Sequence, residues 1–332
     1  MKKMILSLVA LTMAATSLAQ NTLVAVLSHD NNVQMFYGSS AFKNAVEAAI
    51  SGDVITLSAG TFEKCDITKG ITVRGIGAEG KNITSIGGRT SDVFNVSISQ
   101  DDTNPFSIEG IMTLAKCNIN GSGTMFFAKS IINSIVFGSA SSLNTKMVNC
   151  NISTLTLSGS SNLKLSNCRV VTLTNASNTT SKADVFNCYL NTVSSAYRCS
   201  FVNCLIYYTS YYSGGLLPAD VSAMNCLFIN NKSGGTRIDC NNAEVAQVFA
   251  SYENKLVDAR YNTYADVPTT DQLSEEAKTT YLGTDGKEIG LYGGQYPYSL
   301  TPTYPRITTL NVAKQASADN KLSVEIEVTA TE

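Results

Sequence analysis

The sequence predicts an all-β fold: a right-handed, single-stranded parallel β-helix of about 19 residues per coil, with an α-helix capping its N-terminal end and a β-hairpin after its last coil. Three observations carry this. A short signature recurs along the chain, the composition suits stacked strands, and apolar residues hold fixed places around each repeat.

The signature reads apolar, any residue, Gly or Asn, then apolar or Cys. It occurs as Val73-Arg74-Gly75-Ile76, Val93-Phe94-Asn95-Val96, Ile108-Glu109-Gly110-Ile111, Met147-Val148-Asn149-Cys150, Leu165-Ser166-Asn167-Cys168, Val185-Phe186-Asn187-Cys188, Phe201-Val202-Asn203-Cys204 and Ala223-Met224-Asn225-Cys226, with Phe127-Ala128-Lys129-Ser130 as a degenerate copy. Successive markers, from Gly75 to Asn225, are 20, 15, 19, 20, 18, 20, 16 and 22 residues apart, as coils with loops of unequal length would be. Gly and Asn alternate there because both tolerate the left-handed backbone of a one-residue bend between strands. Lys129 lacks that tolerance and is expected to be strained or to sit in a different turn. Residues two before, one after and three after the marker point inward, and the residue two after points out.

Hydrophobic residues are 44% of the chain and charged residues only 15%, with many Ser, Thr and Asn, a balance that favours strands and polar turns over salt-bridged helices. A solenoid adds core in one dimension, so a chain of this length needs only one.

Nine cysteines first suggest disulfides. Yet Cys150, Cys168, Cys188, Cys204 and Cys226 share the inward place after the marker, where a thiol serves as a small hydrophobe. Stacked strands hold neighbours about 4.8 Å apart, beyond the ~3.8 Å of a relaxed disulfide, so an unbridged stack is expected. Cys65, Cys117, Cys199 and Cys240 lie off this ladder, and any disulfide is expected among them. No Cys-x-x-Cys pair exists and His29 is the single histidine, so neither a metal nor another cofactor is expected.

Met1-Lys2-Lys3 and the apolar run from Met4 to Ala15 read as a signal peptide over 1–19, with Ser17-Leu18-Ala19 directing cleavage before Gln20. Residues 20–300 form the β-helix domain, including a cap helix over 40–50, and 301–332 a C-terminal hairpin or appendage turning at Asp319-Asn320. Phe42, Val46, Ala49 and Ile50 would cover the end of the cylinder, and Leu322, Val324, Ile326 and Val328 would alternate along a half-buried strand. Loss of Lys2 and Lys3 leaves 22 basic against 26 acidic residues, a net charge of −4, which argues against nucleic acid as a partner. No later apolar run is long enough to span a membrane and no cysteine near the cut could take a lipid. The mature chain is therefore expected to be an exported monomer, in the periplasm, at the outer surface or secreted, and not a lipoprotein.

The coil signature, the amphipathic stretch Ser40 to Ile50 leading into Gly52-Asp53-Val54-Ile55, and Gly283-Thr284-Asp285-Gly286 to Gly293-Gly294 after the last coil resemble right-handed parallel β-helix proteins of the pectin-lyase-like superfamily, especially exported ones of Gram-negative bacteria. The likeness covers about residues 36–300. It implies the fold, but that fold hosts lyases, hydrolases, adhesins and scaffolds alike.

No carboxylate ladder for calcium, no Arg-x-Lys and no Gly-His-Gly motif accompanies it, and the adjacent pair Asp101-Asp102 reads as a turn. The outward ladder Gly77, Ser97, Met112, Ile131, Asn151, Arg169, Tyr189, Leu205 and Leu227 offers Arg169 and Tyr189 as a sugar contact by hydrogen bond and stacking. Leu205 and Leu227 need a cover, which the C-terminal segment should supply. Polar insertions at 139–144, 158–162, 175–180 and 207–220 should line one side, with Tyr207, Tyr208, Tyr211 and Tyr212 as aromatic sugar contacts. The expected role is a non-catalytic surface scaffold or adhesin contacting polysaccharide or cell-surface glycan. The alternative is a lyase or glycoside hydrolase acting on acidic polysaccharide.

Overall fold

The computed structural model describes residues 23–30, 32–99, 102–175, 180–194, 198–207, 216–229, 233–258, 262–312 and 324–329. The expected signal peptide, Asp101, the middle of the 175–180 insertion, the Asp319-Asn320 turn, Leu322, Tyr208, Tyr211 and Tyr212 lie outside them.

The chain is a parallel β-solenoid with about 20 residues per turn. Its front sheet stacks Val54–Leu57, Thr72–Arg74, Phe106–Glu109, the end of Met112–Ala128, Ser142–Val148, Asn162–Ser166, Lys182–Phe186, Cys199–Val202, Leu216–Met224 and Ser233–Ile238. The rear sheet includes Ile131–Phe137, Asn151–Leu157, Arg169–Asn175, Tyr189–Ser194, Leu205–Tyr207, Leu227–Ile229 and Asn241–Ala243.

One-residue bends join front to rear strands. Gly110, Lys129, Asn149, Asn167, Asn187, Asn203, Asn225 and Asp239 all have φ between 49° and 67°. From Gly110 to Asn225 each N–H donates to the next coil's carbonyl, as Asn149 does to Ser166 O at 3.1 Å and Asn167 to Phe186 O at 3.1 Å. Lys129 is in the same turn as the asparagines, at φ 49°, so of the two expectations for it the strained one holds. Asp239 is a further bend that a Gly/Asn signature overlooks, although aspartate tolerates the same conformation. Gly75 sits at the front of this column without a left-handed φ; glycine is needed because a Cβ would come within 2.5 Å of Gly110 O. Asn95 is a false marker. It lies inside the rear strand Val93–Ile98, where Phe94, Val96 and Ile98 are buried and Val93 is exposed.

The inward places fill as the pattern predicts: Val73, Ile108, Phe127, Met147, Leu165, Val185, Phe201 and Ala223 form one buried column, and Ile132, Ile152, Val170, Leu190, Ile206 and Phe228 another. All nine cysteines are free. The thiol ladder is longer than the signature suggests, because Cys240 follows Asp239 and joins it: Cys226 N–H donates to Cys240 Sγ at 3.4 Å, as Cys150 does to Cys168 Sγ at 3.4 Å and Cys168 to Cys188 Sγ at 3.3 Å. Ser130 does the same work with oxygen, accepting from Ile111 N–H and donating to Ala128 O at 2.8 Å. Cys117 is flanked across the rear sheet by Phe94 and Ile135, and Cys199 by Ala183, so stacking brings none of them onto a second cysteine.

The polar insertions are less outward than expected. Ser141, Ser161 and Ser181 are buried as a hydroxyl ladder, with Ser161 N–H donating to Ser181 Oγ at 3.0 Å and Leu143 N–H to Ser161 Oγ at 3.3 Å.

At the N-terminal end, antiparallel strands Val24–His29 and Asn32–Tyr37 and helix α1 (Ala41–Ala48) close the cylinder. Ala41, Phe42, Ala45, Val46 and Ala49 form the covering face, whereas Ile50 is 54% exposed because the chain leaves the helix at Ala49 and turns outward. After the last coil come α2 (Val245–Val248), an antiparallel hairpin of Tyr252–Asp258 and Thr263–Pro268, and α3 (Glu275–Thr280), capped by Ser274, whose Oγ accepts from Ala277 N–H. Residues 282–304 then run back along the bend column as an extended strap. Arg306–Val312 and Val324–Thr329 pair as the expected C-terminal hairpin, and Val328, expected to be half-buried, is exposed. No helix among the described residues is long and apolar enough to cross a membrane.

Candidate functional site

The bends hold the strap by their side chains. Asn225 Nδ2 donates to Leu282 O at 2.9 Å, Asn203 Oδ1 accepts from Thr284 N–H at 3.1 Å, and Asn203 O accepts from Gly290 N–H at 2.9 Å. Asn167 Nδ2 reaches both Leu291 O and Gly293 O, at 2.9 and 2.7 Å. Farther along, Glu109 Oε1 accepts from Thr303 N–H and Oγ1 at 2.8 and 2.7 Å, and Arg74 lies over the Tyr304 ring.

This arrangement covers the apolar end of the outward ladder, as Leu205 and Leu227 require. They pack with Tyr189, Tyr207, Ile229, Val245, Val248, Phe249, Leu273, Ala277, Ile289 and Leu291 in a second core outside the cylinder. Each such side chain contributes about 1.5–3 kcal/mol when fully buried, enough to fix the covering segment.

Where this cover stops, a groove of about 510 Å³ opens along the rear sheet, within the size range of small-ligand sites. The coils supply Ile131, Asn151, Arg169, Tyr189 and Asn191, the cover Thr269, Thr270, Asp271 and Tyr298, and the N-terminal coils Glu79. Arg169 Nε donates to Asp271 Oδ2 at 2.7 Å, both side chains are about a quarter exposed (27% and 26%), and the guanidinium lies 5.7 Å from the Tyr189 ring centre. Burial raises the Asp271 pKa and Arg169 opposes the rise. Burial likewise pushes the Tyr189 and Tyr298 phenols well above their ordinary value. Asn191 Oδ1 is buried in the groove wall with no partner among the described residues.

Of the residues the sequence singled out, Arg169 is in the groove, and Tyr189 lines it while keeping its ring from solvent. Tyr189 and Tyr207 are each 2% exposed and meet Phe249 edge to face, with centroids 5.9 and 6.3 Å away. Neither can stack a sugar on its face, because Phe249 and its neighbours already occupy that place. Asp102 is a structural clamp: it accepts from the Ser51 hydroxyl, from Gly70 N–H at 2.6 Å and from Asn104 N–H at 3.0 Å. His29 pairs with Asp53 at the N-terminal cap, 2.6 Å away. No group of three His, Cys, Asp or Glu among the described residues is placed to hold a metal ion.

Asp271, Asn191, Glu79 and Tyr298 escaped the sequence reading because no local pattern marks them; Asp271 comes to Arg169 from 102 residues away. The available signal was indirect: two outward leucines demanded a cover, and a cover that ends leaves a groove at its edge. No protein-family model and no curated protein matches this chain.

Proposed function

We propose that this chain is a non-catalytic exported scaffold that contacts carbohydrate, at the cell surface or after secretion, in the groove between the rear sheet and the covering segment. The observation that carries this reading is the Arg169–Asp271 pair, in which the guanidinium and carboxylate at the centre of the groove are spent on each other. Around them the wall combines apolar residues and the Glu79 carboxylate with amides and hydroxyls from Asn151, Asn191, Thr270 and Tyr298, the groups that exchange hydrogen bonds with sugar hydroxyls. Asn191 Oδ1, buried and unpartnered, is an acceptor that a rotation of its side chain would bring to a ligand hydroxyl.

A lyase or hydrolase would need a free base, or carboxylates facing each other across the substrate bond. In this groove the carboxylate beside the cation is already paired, which leaves Glu79 as the one further carboxylate in its lining. Export is supported by the cationic and apolar N-terminal residues and the small residues before Gln20.

A glycan array tests the reading. The wild-type chain is expected to bind a restricted set of glycans, Arg169→Ala and Asn191→Ala to lose its uncharged members, and Tyr211→Ala and Tyr212→Ala to report on the tyrosine-rich segment. Absence of any glycan binding would refute it. Ultraviolet absorbance from unsaturated products on incubation with acidic polysaccharides would replace it with the lyase reading.

A further inference from the structure

On the front sheet, a face separate from the groove, outward residues fall into columns. Phe126, Lys146, Lys164, Asp184, Ser200 and Ser222 make one. Thr124, Asn144, Asn162 and Lys182 make the next. Arg198 stands at the head of the next strand beside this second column: it turns the chain at φ 58° just before Cys199, which pairs with Ala183, the residue after Lys182. Lys146, Lys164, Lys182 and Arg198 thus give one cation per coil on four consecutive coils of an acidic chain. All four are exposed, and none forms an ion pair among the described residues. The acids among the described residues of this face are Asp184, in register with Lys164, Asp220, two residues before Ser222, where the row ends, and Glu109, on an earlier coil and bonded to Thr303.

With coils about 4.8 Å apart, the row spans roughly 14 Å parallel to the rod axis. Beside it Asn162 Nδ2 donates to Asn144 Oδ1 at 3.2 Å, so these amides form a short ladder with further donors and acceptors facing out. Phe126 and Phe186 are also exposed on this face. The cations make a stepped path, Lys146 and Lys164 in one column and Lys182 and Arg198 at the next, and with the flanking amides this path fits a thread-like ligand with spaced charges and many hydroxyls that crosses the coils obliquely. Duplex nucleic acid is a poor match, with a charge every ~1.7 Å, and a membrane would engage the whole plane and not one row.

We infer that the front sheet carries a second binding site, for a linear polyanionic glycan lying obliquely along the rod with one carboxylate or sulfate opposite each of Lys146, Lys164, Lys182 and Arg198. This rests on the reading of the chain as a glycan-contacting scaffold and adds a ligand class and a face to it.

The test measures binding of fluorescent oligomers of polygalacturonate, dextran sulfate and neutral dextran, a single-stranded DNA of similar length, and phosphatidylserine vesicles, at low and high salt. The proteins are wild type, K146Q/K164Q, K182Q/R198Q and the groove variant R169A, each with an unchanged circular dichroism spectrum. The expected result is salt-sensitive binding of a polyanionic glycan by wild type and R169A, weakened at least about tenfold in each double variant. Polygalacturonate and dextran sulfate decide between carboxylate and sulfate. Wild-type affinity in both double variants overturns the inference, as does tighter binding of DNA or vesicles than of either glycan. Glycan binding lost only in R169A would leave the groove reading standing without this site. Polyanion binding lost only in the double variants, with no glycan held in the groove, would leave this site standing without the groove.

Discussion

Asn167 and Leu291 are 124 residues apart in sequence, yet Asn167 Nδ2 donates to Leu291 O at 2.9 Å from the apex of a solenoid bend. One residue thus turns the chain and fastens the strap. Its φ of 49° serves the bend and its amide, which also reaches Gly293 O, serves the strap.

The two roles separate by substitution. Asn167→Gly keeps the bend and removes the strap bonds, leaving buried carbonyls unpaired at a cost of about 1–3 kcal/mol. Asn167→Ala loses the bonds and also forces an alanine into the left-handed region, a further cost of about 1–2 kcal/mol. Urea unfolding midpoints should fall in the order wild type, Gly, Ala; equal midpoints for Gly and Ala would contradict a left-handed bend at this position.

The thiol ladder predicts how the cysteines titrate. Burial raises the Cys117, Cys150 and Cys188 pKa values and pushes Cys65 and Cys199 up to about 12; at Cys168 and Cys204 burial also raises the value but hydrogen bonds from their ladder neighbours outweigh it and lower it, and both are fully buried, so none of these presents an accessible thiolate at neutral pH. A colorimetric thiol assay on protein purified without reductant should find little reaction in the fold and nine thiols after denaturation. Fewer than nine would mean a disulfide. Cys168→Ser should cost under about 1.5 kcal/mol, because Ser130 already makes the ladder's two hydrogen bonds.

The N-terminal cap should respond to pH. His29 has a raised pKa through its hydrogen bond to and charge attraction by Asp53, with burial opposing and Asp30 adding to the rise. A raised folded-state value means the stabilisation is fully present below the unfolded histidine value of about 6.5 and is lost as pH rises through the folded value. The urea midpoint of the wild type, relative to His29→Gln, should therefore decline from mildly acidic to mildly alkaline pH. A difference independent of pH would show that the proton on His29 has no part in holding the cap.

In the groove, a double-mutant cycle on Arg169→Ala and Asp271→Ala should give a coupling on the order of 1 kcal/mol, reduced by partial solvent exposure. Strict additivity would mean that the two side chains do not meet, and would remove the central feature of the glycan reading.

Most of the solenoid was legible because its rules are local. A bend every coil needs a residue that tolerates positive φ, and the places beside it must be apolar. Those rules misled where a different structure satisfies them: Asn95 has apolar neighbours at the proper spacing but lies within a strand, and Asp239 turns the chain without being Gly or Asn. Arg169 was legible as an outward residue, and the need to cover Leu205 and Leu227 was legible from their chemistry. Asp271, Asn191 and Tyr298 were not, since their meeting depends on the strap's path, and carbonyl hydrogen bonds such as those at Leu291 and Gly293 leave no trace in side-chain identity. Tyr189 and Tyr207 were misread as sugar platforms because an outward aromatic looks the same in sequence whether or not Phe249 packs on it.

Everything proposed for the groove depends on the strap lying along the asparagine bends. Hydrogen exchange followed by mass spectrometry on peptides spanning 282–294 measures this directly, since Gly290 N–H is bonded to Asn203 O and Thr284 N–H to Asn203 Oδ1. Slow exchange is predicted in the wild type, with faster exchange across this stretch alone in Asn167→Gly. Exchange in the wild type as fast as in an unfolded peptide would contradict a docked strap, and with it the groove.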